Sequence, residues 1–389
     1  MSFFSDKIIS EGLTFDDVLL IPEYSEIFPR DTVLKTMLSK RIPMNIPIIT
    51  AAMDTVTEAP MAIAIAKLGG IGVIHRNMSV KRQVEQIELV KNAKINNLYG
   101  EKFNINYDRP SPEPSIDKNG RLRVAASVGI CKDTMDRIDA LVKASVDAII
   151  IDSAHAHSKI VLDILRKSKS KYSDPDFIVG NIATGEAATD LVLAGADAVK
   201  VGIGPGSIRT THSIAGVGIP QLSAIYAVSN AIQHSGIPII ADGGVRSPGD
   251  IAKAIAAGAD SVMAGSIFAG VEESPGEIIF IQGKQFKRYR GMDSKEVINE
   301  RYHELNDEEK NMNNPIPEGV VVRAPYKGPL SKTIIQLSDG LRAGMGYCGA
   351  KTIEKLKQAK FIRITQSGVR EGYSHDITIN HSDHNSFIK

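Results

Sequence analysis

Residues 238–265 read PIIADGGVRSPGDIAKAIAAGADSVMAG and hold one strand, one helix and a second strand. The apolar runs at the two ends show no strict alternation, which is typical of parallel strands covered on both faces. Between them, Ser247 followed by Pro248 predicts the start of a helix, because serine caps a helix and proline suits its first position. Gly258 fits the position just past the end of that helix. The stretch therefore predicts one strand-helix unit and the strand of the next.

The same pattern recurs along the chain. Thr184, the helical segment 185–194 and Gly195 repeat the cap, the helix and the terminal glycine. Eight strand-helix units predict a (β/α)8 TIM barrel, with a doubly wound sheet as the alternative. Polar residues end one strand after another, which favours the barrel because its functional groups gather on a single face. The apolar runs that predict the eight buried strands are 46–52, 71–75, 123–129, 148–152, 177–181, 198–202, 238–242 and 261–265.

Two stretches do not follow this alternation. Residues 96–119 are polar and interrupted by prolines, which predicts a short surface excursion with little regular structure. Residues 285–327 contain the charged run ELNDEEK at 304–310, followed by asparagines. A long insertion near the end of a barrel predicts a flap over the active face. We therefore predict a single TIM-barrel domain over residues 1–389, with a flap in its carboxyl-terminal part.

Composition excludes several classes of partner. The chain has 389 residues, of which 43% are hydrophobic and 23% charged, enough for one large core. A net charge of +1 gives no electrostatic reason to expect nucleic acid or an anionic membrane as a partner. No apolar run is long enough to cross a bilayer, and residues 1–6 lack the layout of a signal peptide. We therefore expect a cytoplasmic protein.

The cysteines and the paired histidines carry little functional signal. Cys131 and Cys348 form neither a disulfide framework nor metal-ligand spacing, and we expect both to be buried as small apolar side chains. His155 and His157 have no neighbouring acidic residue at metal-site spacing. Packing or hydrogen bonding is therefore favoured for them over metal ligation.

The loop at 202–211, GIGPGSIRTT, is suited to binding an anion. Its three alternating glycines allow positive φ and close backbone approach, so successive N–H groups and the Ser207 hydroxyl can surround a phosphate. Its G-x-G-x-G spacing differs from the Rossmann dinucleotide fingerprint. The loop therefore predicts a phosphate site rather than a Rossmann cofactor site.

Several separated motifs resemble the IMP dehydrogenase and GMP reductase family over essentially the whole barrel. They are LTFDDVLL at 13–20, AMDTVTE at 52–58, DSAHAHS at 152–158, ADGGVR at 241–246 and YRGM at 289–292. Most members of that family insert a pair of regulatory CBS modules between the second and third strand units. This chain has only the excursion at 96–119 there. The resemblance thus implies a TIM barrel without a CBS module, assembled as a homotetramer.

The resemblance also implies a purine nucleoside 5′-monophosphate as ligand. Asp242 would hold both ribose hydroxyls, and Met292 and Glu318 would meet the purine base. Asp293 stands where the family has glycine, which leaves the identity of the purine open. The residues implied for the phosphate are Ser207, Gly244, Gly265, Ser266 and Tyr289.

The family reaction is the NAD-dependent oxidation of IMP to XMP. A loop cysteine attacks C2 of the purine, hydride passes to NAD, and a flap then brings an arginine-tyrosine pair to activate water. Arg301 and Tyr302 match that pair, and Thr211 matches a loop threonine, although His212 replaces the arginine that usually follows it. The residues implied for the cofactor side are Asp152, at the nicotinamide ribose, and Asn181, at the active face.

Arg209 occupies the position of the family's nucleophilic cysteine. Its guanidinium stays protonated and has no lone pair, so it cannot attack carbon as a thiolate does. Three hypotheses remain open. The chain is a nucleotide-binding or regulatory homologue, an enzyme with altered purine-nucleotide chemistry, including a GMP reductase-like reaction, in which Arg209 stabilises charge or clamps phosphate, or a dehydrogenase that carries a substitution.

A potassium site is the last feature that the resemblance implies. In the family, backbone carbonyls of the cysteine loop and of a carboxyl-terminal segment from the neighbouring subunit hold the ion. The matching parts are Gly204, Gly206, Arg209 and the pair Glu371 and Gly372. A fixed guanidinium nearby would repel a monovalent cation and pair with Glu371 or with phosphate. We therefore expect potassium to have little effect.

Overall fold

The computed structural model describes residues 7–95, 112–303 and 317–372. In chain order its strands are β1 (Val18–Leu20), β2 (Thr36–Ser39), β3 (Ile42–Met44), β4 (Ile48–Thr50), β5 (Ile71–Ile74), β6 (Ala125–Val128), β7 (Ala148–Asp152), β8 (Asp176–Ile182), β9 (Ala198–Val201), β10 (Ile239–Asp242), β11 (Ser261–Ala264), β12 (Ile279–Ile281), β13 (Lys284–Arg290), β14 (Val321–Pro325) and β15 (Phe361–Arg363). Its helices are α1 (Ala59–Lys67), α2 (Val80–Lys91), α3 (Thr134–Lys143), α4 (Lys159–Lys171), α5 (Gly185–Leu193), α6 (Thr211–Ile214), α7 (Gln221–Ile232), α8 (Pro248–Ala256), α9 (Lys295–His303), α10 (Leu330–Tyr347), α11 (Ile353–Leu356) and α12 (Gln366–Glu371).

Strands β4 to β11 form a closed barrel. They pair in parallel in chain order, for example Ile150 with Ile178 between β7 and β8, and β11 closes the ring by pairing with β4. Each of the eight predicted apolar runs coincides with one of these strands. The predicted TIM barrel is therefore confirmed, because the doubly wound alternative would leave the sheet open.

A hairpin closes the amino-terminal end of the barrel. Strands β2 and β3 pair antiparallel, and the hydroxyl of Ser39 donates a 2.6 Å hydrogen bond to the carboxylate of Asp176, the first residue of β8. The carboxyl-terminal end, where polar residues follow the strands, therefore remains as the open face. The buried side chains that fill the interior beside this hairpin are Leu38, Ile42, Met44, Ile49, Val73, Ala125, Ile150, Ile178, Ala198, Ile240 and Met263.

The predicted helix caps are present. Ser247 caps α8 through a capping box, in which its hydroxyl accepts from the N–H of Asp250 and the Asp250 carboxylate accepts from the N–H of Ser247. Thr184 caps α5 by accepting from the N–H of Ala187. Gly258 follows α8 with φ of +117°, a conformation that favours glycine. The capping residues and the glycine that follows α8 thus fix where these helices begin and end.

The two irregular stretches fall partly outside the described residues. Residues 96–111 of the predicted excursion lie outside them, and 112–119 run along the barrel, where the N–H of Ser115 donates to the carbonyl of Ala66 at 2.7 Å. In the predicted flap region, β13 and β14 pair antiparallel and β12 completes a three-stranded sheet. Residues 304–316 lie outside the described residues. This sheet was not predicted from the sequence, and the single-domain assignment stays a prediction.

The cysteine prediction was half right. Cys348 is buried, whereas Cys131 is exposed in the loop between β6 and α3. The prediction was wrong for Cys131 because a polar neighbour engages it: its thiol donates to Asp133 at 2.8 Å. Within the described part of the chain, no helix is both long and apolar enough to cross a membrane.

Candidate functional site

A cleft opens at the carboxyl-terminal ends of the barrel strands. The loops after β4, β9, β10 and β11 contribute to its wall, together with residues of β7, β8 and β9 and the segments 289–293 and 318–319. The structure thus brings together residues that are widely separated in sequence. The predicted site residues that line this cleft are Asp152, Asn181, Gly204, Gly206, Ser207, Arg209, Asp242, Gly244, Gly265, Ser266, Tyr289, Met292 and Glu318.

A buried lysine forms the floor of the cleft. Lys200 on β9 is only 3% exposed, and its ammonium donates to Asp152 Oδ1 at 3.1 Å and to Asp242 Oδ2 at 2.7 Å. It also donates to the side-chain oxygen of Asn181. The amide nitrogen of Asn181 in turn donates to Asp242 Oδ2 at 3.0 Å and to the carbonyl of Gly202 at 2.6 Å. Asp242 therefore has one oxygen fixed by two donors from the floor.

The charges of this network stabilise one another. Burial alone would lower the pKa of Lys200, but the carboxylates of Asp152 and Asp242 outweigh burial and hold that pKa above its usual range. Burial likewise tends to raise the pKa of Asp152, but Lys200 and the guanidiniums of Arg76 and Arg209 hold it below its usual range. Lys200 and Asp152 therefore stabilise each other in their charged forms.

The role of Lys200 was not predicted from the sequence, although a signal for it exists. Lys200 is a charged residue inside the apolar run 198–202, and a charge in a buried strand needs a partner. The neighbouring strand makes room for it with glycine. A Cβ on Gly180 would lie 2.5 Å from the Cβ of Lys200 and 2.7 Å from its carbonyl oxygen. Backbone and side chain are thus both adapted to the buried ammonium.

Glycines at the cleft are required by space or by backbone conformation. Gly202 has φ of +149°, and a Cβ there would lie 2.0 Å from the carbonyl oxygen of Asp242. Gly243 and Gly244 have φ of +96° and +79°. A Cβ on Gly265 would lie 2.9 Å from the Tyr289 hydroxyl. A side chain at any of these positions would be crowded or strained, so glycine lets the backbone pass close to a ligand.

Tyr289 contributes a neutral hydroxyl beside these glycines. Its side chain is 5% exposed and packs against the sulfur of Met53, with 3.9 Å between hydroxyl and sulfur. Burial, together with the charge of Asp242, raises the pKa of Tyr289 to about 12, although a hydrogen bond with Ser207 and the charge of Arg209 oppose that rise. The phenol therefore stays protonated and can donate a hydrogen bond to an anion.

Arg209 is held by a carboxylate at the rim. Its Nη1 lies 3.0 Å from Asp293 Oδ2, and each of the two side chains is about a third exposed, at 35% and 34%. Burial tends to lower the pKa of Arg209, but Asp293 and the further carboxylates of the cleft hold it above its usual range. At the loop position of the predicted nucleophile there is thus a fixed cation within an ion pair.

Three segments meet behind this ion pair. The N–H of Thr210 donates to the carbonyl of Glu318 at 3.1 Å, and the hydroxyl of Thr211 donates to Glu318 Oε2 at 2.8 Å. The N–H of Glu318 donates to the carbonyl of Asp293 at 3.1 Å. These hydrogen bonds therefore join the glycine loop to two segments of the predicted flap region, one after β13 and one before β14.

The comparisons with known proteins decide the family. The sequence model of the "IMP dehydrogenase / GMP reductase domain" matches residues 12–375. The chain belongs to this family. A protein of Borreliella burgdorferi named inosine-5′-monophosphate dehydrogenase is 48% identical over 401 residues, covering 96% of this chain and 98% of that protein. One from Cryptosporidium parvum is 47% identical, covering 96% and 97%, and one from Aquifex aeolicus is 41% identical, covering 98% and 99%.

Two further family positions lie on α9. Arg301 and Tyr302 belong to this helix, and their side chains lie outside what the structure describes. The helix is fixed to the barrel by Arg290, whose guanidinium bonds Asp54 Oδ2 at 2.7 Å and Glu300 Oε1 at 2.7 Å. Hydrogen bonding to Arg290 holds the pKa of Glu300 below its usual range. The Arg301–Tyr302 pair therefore follows directly after an anchored residue.

The carboxyl-terminal residues predicted for potassium binding lie apart from the cleft. Glu371 and Gly372 are exposed at the end of α12 and do not belong to the cleft lining of the described chain.

His157 hydrogen-bonds Asp190 Oδ2 at 2.8 Å, and its ring lies 6.4 Å from that of His155. Among residues 7–95, 112–303 and 317–372, no group of three or more His, Cys, Asp or Glu side chains is placed to hold a metal ion.

Removing the floor cation should destabilise the fold. Lys200→Met would leave the partly buried carboxylates of Asp152 and Asp242 without their shared, fully enclosed counter-ion. Breaking a buried ion pair in this way costs about 3–5 kcal/mol of unfolding free energy, to be measured by chemical denaturation. The control is Lys159→Met, at a side chain that is 91% exposed, with an expected change within about 0.5 kcal/mol. Equal effects of the two changes would contradict the role of Lys200.

Tyr289 should ionise far above the usual range for tyrosine. Because its folded pKa of about 12 exceeds the ordinary value of about 10, its contribution to stability is complete below about pH 10 and is lost as pH rises to about 12. A phenolate absorbance titration should show a step near pH 12 that disappears in Tyr289→Phe. Tyr226→Phe, at an exposed position, should leave that step in place. If the step near pH 12 disappeared in Tyr226→Phe and remained in Tyr289→Phe, the assignment to Tyr289 would be wrong.

Proposed function

We propose that this chain is an IMP dehydrogenase-like protein that binds a purine nucleoside 5′-monophosphate and lacks the covalent route of the family reaction. The observation that carries the proposal is the ion pair of Arg209 with Asp293, 3.0 Å apart, at the position of the family's nucleophile. A guanidinium cannot act as a nucleophile at carbon. Cysteine is absent from the residues that line the described cleft.

The phosphate end of the nucleotide would lie against the glycines. Ser207, Gly244, Gly265 and Ser266 line the cleft, and Tyr289 adds a protonated hydroxyl. Their hydrogen-bond donors suit a phosphate, and TIM barrels commonly bind phosphate at the loops after their last two strands. Gly244 and Gly265 follow β10 and β11, the last two strands of this barrel.

The ribose and the base would extend from that end. Asp242 Oδ2 is taken by Lys200 and Asn181, and the Asp242 side chain is 20% exposed at the cleft, so Oδ1 is the oxygen suited to ribose hydroxyls. Met292 and Glu318 would meet the base, since both line the same cleft. The floor network therefore supports the nucleotide by orienting Asp242.

The residues of the cofactor side fit NAD to different degrees. Lys200 bonds Oδ1 of Asp152, whose side chain is 27% exposed, so this carboxylate can still accept from a nicotinamide ribose hydroxyl. Asn181 is 7% exposed and its amide serves Asp242, Gly202 and Lys200. We therefore assign Asn181 an indirect role. NAD, when bound, would supply the hydride acceptor of the family reaction.

Assembly and ion binding are proposed from the family alone. A homotetramer would supply Glu371 and Gly372 from a neighbouring subunit to the carbonyls of Gly204, Gly206 and Arg209. We propose that potassium has little effect here, because the guanidinium of Arg209 stands on this loop.

Absence of a CBS module is supported by the alignment with the Aquifex aeolicus protein, which spans 485 positions although this chain has 389 residues.

A second candidate function is altered purine chemistry with the hydrolytic groups retained. The specific observation in its favour is the 2.8 Å hydrogen bond between Thr211 and Glu318, which keeps a polar pair beside the glycine loop. Arg301 and Tyr302 are also present in sequence. In that case Arg209 would stabilise developing negative charge rather than attack the purine.

Nucleotide binding should depend on the phosphate. We expect IMP or XMP to bind and the free nucleosides to bind about a hundredfold more weakly, the equivalent of two hydrogen bonds to a charged group. Isothermal calorimetry with inosine and IMP measures this ratio directly. Equal affinity for nucleoside and nucleotide would refute the phosphate site and with it the proposed function.

Restoring the nucleophile should restore the family reaction. Arg209→Cys is expected to raise the rate of NADH formation from IMP and NAD and to make that rate respond to potassium. The measurement is absorbance of reduced cofactor, with XMP identified by mass spectrometry. A wild-type rate of about 1 per second or more would show that the chain does not need the cysteine. An inert Arg209→Cys variant that still binds both ligands would show that the site differs in more than its nucleophile.

A further inference from the structure

Three segments at the rim of the cleft form a short backbone ladder. The N–H of Val320 donates to the carbonyl of Ile208, in the glycine loop, at 3.2 Å. On the other side, the N–H of Gly291 donates to the carbonyl of Val320 at 3.1 Å. Residues 318–320 therefore lie between the glycine loop and residues 291–294, which follow β13.

A glycine in the middle of this ladder lets the outer segments approach. Gly319 forms isolated bridges with Arg209 on one side and with Ser294 on the other. A Cβ on Gly319 would lie 3.1 Å from the backbone nitrogen of Ser294 and 3.4 Å from the carbonyl carbon of Asp293. The outer segments also meet directly, because Arg209 Nη1 lies 3.0 Å from Asp293 Oδ2. The ion pair thus links two segments that the backbone joins through residues 318–320.

Asp293 is the carboxylate that is most available to Arg209. The other carboxylates that act on this guanidinium are those of Asp152, Asp242 and Glu318. Lys200 is bound to both aspartates, and the Thr211 hydroxyl donates to Glu318 at 2.8 Å. The contacts already made inside the cleft therefore favour the pairing of Arg209 with the 291–294 segment.

We propose that the Arg209–Asp293 ion pair is a latch that holds the glycine loop against the 291–294 segment when no ligand is bound. Asp293 is then a positioning residue, which acts on the loop through Arg209. Fixing a loop costs conformational entropy, and a latched loop has lost that freedom before a ligand arrives. The latch belongs to the ligand-free chain, so it goes beyond the proposed function and does not depend on which ligand the cleft binds.

Amide hydrogen exchange of the ligand-free full chain tests the latch. The reporters are the N–H groups of Thr210 and Val320, which are bonded within the ladder. Asp293→Asn and Arg209→Gln should each speed their exchange about threefold, an effect within the range of a partly exposed ion pair. The double variant should also show about a threefold change, because both substitutions remove the same interaction. Asp293→Glu keeps the carboxylate and should keep most of the protection.

Ionic strength supplies a second readout. Raising the salt concentration from about 0.1 M to about 1 M shortens the screening length from about 10 Å to about 3 Å. Exchange of the reporter amides should become faster in wild type and should stay unchanged in the double variant. The matched control is Asp163→Asn, which removes an exposed ion pair with Lys159 on α4 and should leave the reporter amides at their wild-type rates.

A latch differs from a general contribution to folding. The amides of β8 should exchange at the same rate in wild type and in every variant, and faster exchange there by the same factor would overturn the proposal. A double variant that shows the product of the single effects, about ninefold, would also overturn it, because the two residues would then act independently. Unchanged reporter amides in Asp293→Asn would overturn it as well.

Discussion

The buried ammonium of Lys200 is the interaction on which the cleft depends. A charge enclosed by a barrel is tolerated only with counter-charges and satisfied hydrogen bonds, and Asp152, Asp242 and Asn181 supply both. These residues end or lie within β7, β10 and β8, so one cation ties together the carboxyl-terminal ends of several strands. Gly180 is then required beside it because a Cβ would meet the lysine. The orientation of both cleft carboxylates is therefore fixed by the interior of the barrel before any ligand binds.

The sequence predicted the barrel well for a physical reason. Parallel strands covered on both faces are apolar throughout, so each of the eight strands left a run that can be recognised without knowledge of its neighbours. The sheet formed by β12, β13 and β14 left no such run. The β13 sequence KQFKRYR is charged and only partly buried, and its pairing with β14 joins the two ends of the predicted flap region. Long-range pairing of exposed strands cannot be recognised from local pattern.

The sequence predicted which residues belong to the candidate site but not which of them contact one another. Motifs identified the glycine loop, Asp242 and Tyr289, and the structure places all of them on one cleft. Which groups neutralise one another could not be predicted, because ion pairs form between residues distant in sequence. Lys200 lies in a run that otherwise indicates only a strand, and Asp293 was noticed only as an extra carboxylate. Their partners became evident once the fold brought β7, β9, β10 and the segment after β13 together.

The two rim residues Arg209 and Asp293 are best understood as a pair. The resemblance to the family predicts cysteine at position 209 and glycine at position 293, where this chain has arginine and aspartate. Arginine alone would add a cation among Asp152, Asp242 and Glu318, and would compete with Lys200 for them. Aspartate alone would add a further carboxylate to an already acidic cleft. Together they form a pair of zero net charge at 3.0 Å, so the formal charge that an anionic ligand meets is the same as with the neutral residues. Under the proposed function, the pair would stand in place of a nucleophile and would leave the charge of the floor and the geometry of the glycine loop available to a nucleotide.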